Sequence, residues 1–338
     1  MSSKDIVKAI LDGKRAERVG FWAGIPTDEA EKIYFDYFKV NNRAALNEAF
    51  ENDLNHVWAD GYMWPFKDRP VFDFYGGKKQ MSLNQPGVFA ECESVAEVEA
   101  FDWPDPKVLT ITPLIEEIGK ETYKNKAVFS GLLSVFFHDL CSFFGMDNYF
   151  VKMHTNPDVV EAVTERVVNF YLEANKKCFE QVGSKIDAFF LANDFGSQES
   201  LLVSPDCFRR FILPGFKKLI TLAKSFDLKV VLHSCGSIAE VIPMLIDAGI
   251  DALHPLQAKA KGMDAETLAG EYKKDIAFIG GVDTQQLLPF GTPEQVKAEV
   301  RRLKKVFGER FIVSPSHEAI LPIVNPENII AMREAAME

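Results

Sequence analysis

Eight short apolar runs punctuate the chain, at 19–23, 56–60, 128–132, 188–193, 229–233, 252–256, 276–280 and 311–314. Several are apolar almost without interruption, the pattern of strands covered on both faces in a parallel sheet. The segments between them repeat apolar residues three and four apart, the spacing of a helix with one buried face. Residues 157–182 do so behind the start signal Asn156-Pro157. Thr292-Pro293-Glu294 opens a helix over 296–307, with Thr as N-cap and Pro in the first turn, and Ser204-Pro205 opens one over 206–226.

Eight strand–helix alternations predict an α/β fold, a (β/α)8 TIM barrel forming a single domain over residues 1–338. The competing architecture, a doubly wound open sheet, lacks its fingerprint, because no G-x-G-x-x-G follows any apolar run. Long excursions follow the first and second runs. The second contains Trp64-Pro65, Tyr75-Gly76-Gly77 and Phe101-Asp102-Trp103-Pro104-Asp105-Pro106. These insertions near the N-terminal strands predict a cap or flap over one end of the barrel.

Composition narrows the function classes. The chain has 338 residues, of which 28 are Phe, and 47% are hydrophobic, enough for a large core. A net charge of −11 without a Lys/Arg-rich block argues against nucleic acid as a partner, since phosphate contacts need clustered cations. The five cysteines, at 92, 141, 178, 207 and 235, are odd in number and follow no framework spacing, which fits a reducing cytoplasm. The first residues read as a polar amphipathic stretch, and no apolar run reaches the roughly 18 to 20 residues of a membrane span. A cytoplasmic protein with no membrane partner is expected, and the pattern leaves monomer and homodimer open.

The most informative chemistry lies where barrels keep it, at the C-terminal ends of the strands. His233-Ser234-Cys235-Gly236 closes the fifth run. Residues two apart in a strand face the same side, so an imidazole and a thiol leave it together. Both are zinc ligands, and a third would complete a catalytic site with one open position. His317 and Glu318, at the end of the eighth run, are the candidates for that third ligand. Asn193-Asp194 and Gln198 follow the fourth run, His254 and Gln257 the sixth, and Asp283 the seventh. Taken singly, Asp194 and Asp283 also suit N-caps, Asn193 and Gln257 also suit loop backbone groups, and His254 before a proline reads as a turn residue. His56 and His138 read as structural. Trp22, Tyr62, Trp64 and Phe136 could wall an apolar substrate or pack in the core or flap.

These residues together resemble the uroporphyrinogen decarboxylase superfamily, and within it the corrinoid-dependent methyltransferase branch. The resemblance is strongest from Leu191 onward. It runs through Asn193-Asp194-Phe195-Gly196-Ser197-Gln198, Ser204-Pro205, His233-Ser234-Cys235-Gly236, Gly280-Gly281-Val282-Asp283, Gly291-Thr292-Pro293-Glu294, Ser314-Pro315-Ser316-His317-Glu318 and Pro326-Glu327-Asn328-Ile329. It implies a (β/α)8 barrel and a zinc ion held by His233, Cys235 and a later ligand. The decarboxylases of that superfamily hold substrate carboxylates with an arginine pair after strand one. No arginine follows the first run here, which reads Trp22-Ala23-Gly24-Ile25. The methyltransferase branch often places a second Cys where Glu318 falls. A His-Cys-Glu set is a harder Lewis acid, suited to an oxygen leaving group. The resemblance therefore implies a zinc methyltransferase acting between a small methyl donor, such as a methoxylated aromatic compound, and cobalamin on a separate corrinoid protein. Asp194 and Asp283 are the candidate catalytic carboxylates. Trp22, Tyr62, Trp64, Phe136, Asn193, Gln198, Gln257 and His317 are the candidate substrate contacts. Transfer to a coenzyme M-type thiol, a decarboxylase-like lyase and a non-catalytic ligand-binding barrel are the alternatives.

Overall fold

The computed structural model describes all residues but Leu83. Its barrel strands are β1 (Gly20–Phe21), β2 (Leu54–Trp58), β3 (Ala127–Gly131), β4 (Ala188–Ala192), β5 (Lys229–His233), β6 (Ala252–His254), β7 (Ala277–Val282) and β8 (Phe311–Pro315), and Ile25–Pro26 pairs with Ala319–Ile320 beside them. The eight barrel strands form one sheet in the order β1-β8-β7-β6-β5-β4-β3-β2, every ladder parallel. This is the TIM barrel that the strand–helix alternation predicts. Among the described residues no helix is long and apolar enough to cross a membrane.

The ring closes between β1 and β2 through Asn52 and Asp53 rather than a ladder. Asp53, fully buried, donates its N–H to the Phe21 carbonyl and accepts the Phe21 N–H on Oδ2, both at 2.9 Å. Arg18 holds the same carboxylate with two bonds of 2.6 and 2.8 Å, and Asn52 Oδ1 accepts the Ala23 N–H at 2.8 Å. A buried carboxylate is tolerated only when its charge and lone pairs are met, and here they are.

The barrel interior is apolar and is plugged from below. Trp22, Leu54, Phe129, Phe190, Val231, Ile279 and Ile312 fill it, and Ile6, Val7, Ile10 and Leu11 of the N-terminal helix (Ser3–Leu11) enter its lower end. Strands β3, β4, β6 and β7 each begin with an inward alanine: Ala127, Ala188, Ala252 and Ala277. These small side chains leave the room that the helix occupies. The lower end is therefore shut, and only the C-terminal mouth is open to chemistry. A second, larger core lies between the sheet and the outer helices.

Local signals and structure differ in two places. The second strand starts at Leu54, two residues before the predicted run, because Leu54 and Asn55 pair with Ala127 and Val128. The helix predicted over 206–226 is interrupted. It winds as a π turn over Phe208–Ile212 before continuing as Leu213–Ser225. Pro214 has no N–H to give the carbonyl one turn back, so the regular ladder breaks just ahead of it. The excursion after β2 packs its aromatic cluster on the helices Phe136–Phe144 and Pro157–Val182. Phe72 packs against Phe143, Phe170 and Tyr171, and Phe89 and Trp103 also meet Phe143. Lys152, buried, fastens it by donating to the Cys92 carbonyl at 2.7 Å.

Two predictions follow from this frame. Asp53→Ala leaves Arg18 without its partner at the seam and should cost about 3 kcal/mol, as removal of half of a buried pair does; urea unfolding reads it, and a loss below about 1 kcal/mol would mean the ring is held elsewhere. Asp139 is buried, which pushes its carboxyl up to about 7 from 3.8 despite the Tyr171 hydroxyl donating to it at 2.7 Å. Its folded state favours the proton, so its contribution to stability is full below pH 3.8 and is lost as pH rises through about 7. Asp139→Asn should remove that part of the decline, measured as unfolding midpoint against pH.

Candidate metal centre

His233 ends β5 facing the barrel axis, two residues above the inward Val231. The parallel register sets it opposite Ala192 on one side and His254 on the other. Its side chain is almost wholly buried, and both of its ring nitrogens face other donors. Nε2 lies 3.5 Å from Cys235 Sγ and 3.5 Å from Asp194 Oδ1. Nδ1 lies 3.0 Å from His254 Nδ1 and 3.5 Å from Glu318 Oε2. Two potential ligand sets therefore share this imidazole: Asp194, His233 and Cys235 along one edge, and His233, His254 and Glu318 along the other.

The structure thus rearranges the expected set. Glu318 is not on the Cys235 side of the ring. Asp194 is, because it follows β4 by two residues and its Oδ1 accepts the Cys235 N–H at 2.8 Å. Glu318 is held at the other edge by its own backbone, whose carbonyl accepts the Ile25 N–H at 2.7 Å. Gly24 makes that approach feasible: it has φ +86°, and a Cβ there would meet the Glu318 carbonyl oxygen. His317 lies beside Cys235, with its Nδ1 also 3.6 Å from Glu318 Oε2. Its Nδ1 accepts the Ala319 N–H at 3.1 Å, and its ring is perpendicular to His233 at 6.2 Å. His138, read as structural, has Nε2 3.8 Å from Asp194 Oδ2.

The β4 and β5 loops that carry Asp194 and Cys235 interlock. Gly236 has φ +82° and lies so close to Gly196 that any side chain at 236 would strike the Gly196 carbonyl. A Cβ on Gly196 would in turn sit 2.6 Å from the Ser237 nitrogen. Gln257 Oε1 accepts the Gly236 N–H at 2.6 Å and fixes the same turn.

The charges reinforce one another. Burial alone would lower His233, but Asp194, Cys235 and Glu318 outweigh it and bring the imidazole up to about 10. Burial alone would raise Asp194, yet His233 and the Cys235 N–H hold it down to about 2. The Cys235 thiol also falls below its usual value, because His233 and His317 outweigh its burial. His254 is driven well below the ordinary histidine value by burial and by its neighbouring imidazoles. Glu318 Oε2 and His254 Nε2 are closed off from solvent and have no hydrogen-bond partner. Such orphans are costly, and a cation answers the need of the carboxylate.

Several predicted contacts sit elsewhere. Asn193 is spent on the backbone, accepting the Phe137 N–H at 2.8 Å and donating to the Ser134 carbonyl at 3.0 Å. Asp283 accepts the Gln285 N–H at 2.9 Å in its own loop and lies 4.0 Å from Lys259. Gln198 is exposed. Phe136 is fully buried against Phe216, 4.9 Å between centroids. Tyr62 and Trp64 pack against the outer core, and the Trp64 indole donates to the Arg69 carbonyl at 2.9 Å. Trp22, by contrast, is next to the centre: it lies in the inner core, 5.3 Å from the His254 ring. His56, read as structural, and Trp58, which the sequence reading did not single out, also face the barrel interior. They share the inward face of β2 with Leu54, and their rings lie 4.9 Å apart. The alternation Leu54-x-His56-x-Trp58 is the signal that could have found them.

Comparison with known proteins bears on what this centre is. The chain is 26% identical over 213 residues to a methylated-thiol–coenzyme M methyltransferase of Methanosarcina mazei, a match covering 60% of this chain and 53% of that protein. It is 23% identical over 226 residues to a methylcobamide:CoM methyltransferase of the same organism, covering 67% and 63%. It is 28% identical over 209 residues to a uroporphyrinogen decarboxylase of Chlorobium limicola, covering 57% and 54%. The chain thus spans between half and two thirds of the length of these relatives. A solved methyltransferase from Methanosarcina mazei shares the fold, with a TM-score of 0.63 and 17% identity over 100% of this chain and 98% of that one. The sequence profile described as Uroporphyrinogen decarboxylase (URO-D) matches residues 2–338, and the chain belongs to that family.

Proposed function

We propose that this barrel is a metal-assisted methyltransferase that exchanges a methyl group between a small molecule and the cobalt of a corrinoid carried by a separate protein. The single observation that carries the reading is the convergence of His233, Cys235 and Asp194 at the one open end of the barrel, with Glu318 and His254 on the opposite edge of His233. That donor set fits zinc: one imidazole, one thiol already biased toward thiolate, and a carboxylate. His233 Nε2, Cys235 Sγ and Asp194 would hold the ion, and Glu318 and His254 would fix the tautomer and angle of His233 from behind. Bound there, zinc supplies Lewis acidity, lowering the pKa of a thiol or polarising an ether oxygen.

The remaining work belongs to the chain. The paired loops around Gly196 and Gly236 keep Asp194 and Cys235 at fixed separation, so the small molecule meets a prearranged set of groups. His317 and His138 flank the mouth with side chains 44% exposed, placed to exchange a proton with the small molecule's heteroatom. A thiol as the methyl-exchanging group is favoured by the names of the two Methanosarcina relatives. An ether or alcohol oxygen is the second reading. The observation favouring it is that the donors pair Cys235 with carboxylates and imidazoles, with no second cysteine in either set.

Purified protein should carry about one zinc per chain or take one up, as metal analysis will read. Cys235→Ala and Asp194→Ala should lose it. Glu318→Gln should weaken zinc binding about 10- to 100-fold while leaving the fold intact by circular dichroism. Methyl transfer is followed by the loss of methylcobalamin absorbance on adding a thiol. Wild-type protein that neither holds nor accepts zinc would overturn the reading.

A further inference from the structure

Cys235 and Asp194 engage only one edge of His233, and the other edge carries a donor set of its own. His233 and His254 are neighbours across the β5–β6 ladder, and their Nδ1 atoms face each other at 3.0 Å. Glu318 Oε2 completes a triangle, 3.5 Å from His233 Nδ1, and the three donor atoms all lie within 4.8 Å of one another. Metal bonds of about 2.0 to 2.1 Å in a tetrahedral site put neighbouring nitrogen and oxygen donors about 3.3 to 3.4 Å apart. The two separations at His233 Nδ1 bracket that value before any ion is added.

The protein leaves these donors unanswered. Among the described residues no hydrogen-bond donor meets Glu318 Oε2, which is closed off from solvent. His317 Nδ1 lies 3.6 Å from it, but that nitrogen already accepts the Ala319 N–H and has no proton to give. His254 is wholly buried and stays neutral, its ring packed against Trp22 and Phe190 at 5.3 and 5.4 Å. It brings a lone pair and no charge. A buried carboxylate oxygen without a donor is costly, and buried charges persist where they are paired or hold a metal. The two sets also share only His233, and they use different nitrogens of it. The lone pairs of the two nitrogens diverge in the ring plane, so ions at the two edges stand about 6 Å apart and do not collide. Asp194, the Cys235 thiolate and Glu318 supply three negative charges, and His233 supplies a fourth when its ring proton leaves to solvent. Two dications are thereby balanced.

We propose that His233, His254 and Glu318 form a second metal site, and that His233 bridges it to the ion held by Cys235 and Asp194. Two imidazoles and one carboxylate suit a divalent transition ion such as zinc, cobalt or ferrous iron, whereas magnesium and calcium take sets of oxygens. The second ion binds more weakly than the first, because it has no thiolate and meets a ring already bonded to a dication. One zinc per chain in the isolated protein, and a second equivalent on titration, is the behaviour that follows. A filled second site holds His233 by coordination and ties the surroundings of the first ion to the supply of another. The proposal rests on the metal reading of Cys235 for the bridge, but not for the second donor set.

Titration of the metal-free full-length chain with cobalt(II), with no corrinoid protein present, tests it. Cobalt(II) reports sulfur, since a thiolate ligand gives a charge-transfer band that imidazole and carboxylate ligands do not. Wild-type protein should bind two cobalt ions per chain, counted by elemental analysis after equilibrium dialysis. The thiolate band should be complete after the first equivalent. The second should add ligand-field absorption alone, at an affinity at least about tenfold weaker. Glu318→Gln and His254→Phe should each hold one ion at saturating cobalt with the thiolate band intact, and Cys235→Ala should hold one ion without the band. Circular dichroism checks each fold, and the two variants of the second set change different strand ends, so misfolding of one leaves the other to decide. Saturation of the wild type at one ion, with the thiolate band, overturns the second site and leaves the methyltransferase reading standing. Two ions that persist in both Glu318→Gln and His254→Phe also overturn it. Ions bound with no thiolate band at any equivalent overturn the bridge together with the metal reading of Cys235.

Discussion

Everything at the mouth depends on the register of three parallel strands. Ala192, His233 and His254 stand opposite one another, and the ladder is sealed above them by Asn193 N–H on the His233 carbonyl at 2.9 Å and Ser234 N–H on the His254 carbonyl at 2.8 Å. A slip of one residue would turn His233 out among the helices and bring Leu232 inward. Ala192 contributes by being small, since a bulky neighbour in that row would crowd the rings. Backbone hydrogen bonds thus determine which side chains meet, before any polar side chain acts.

The electrostatics then follow from crowding titratable groups where water is scarce. His56 and His254 resolve the conflict by staying neutral. His233 resolves it the other way, because carboxylates lie off both edges of its ring. A proton and a metal ion compete for the same Nε2, so the charge that the carboxylates attract can be supplied by either. The site is best described as a cation-shaped hole in the charge distribution, bounded by Asp194, Glu318 and the acidified thiol of Cys235.

The fold was largely readable from the pattern of apolar runs, because strands buried on both faces leave a strong signal and the start signals at Asn156, Ser204 and Thr292 are local. The ends of the elements were less so. Pairing across the sheet, which sets the start of β2 at Leu54, is a property of two strands and not of one. The His-x-Cys pair was legible for the same reason as the strands: it is a short-range pattern with a fixed geometric meaning. The partner carboxylate was not. Asp194 and Glu318 both lie near strand ends, and only the three-dimensional route of the Gly24 loop puts Glu318 behind the imidazole instead of beside the thiol. Trp22, Tyr62, Trp64 and Phe136 suited either a substrate wall or core and flap packing, because hydrophobic residues past a strand end look the same in both roles. Tyr62 and Phe136 have neighbours from distant segments, Glu117 and Phe216, whereas Trp64 bonds to nearby Arg69.

The contact between Gly196 and Gly236 has a consequence for how such a barrel can diversify. Two loops locked backbone to backbone cannot be lengthened, swapped or hinged one at a time, because each needs the other's lack of a side chain. New specificities on this scaffold have to be written into strand-end loops that take no part in that clasp.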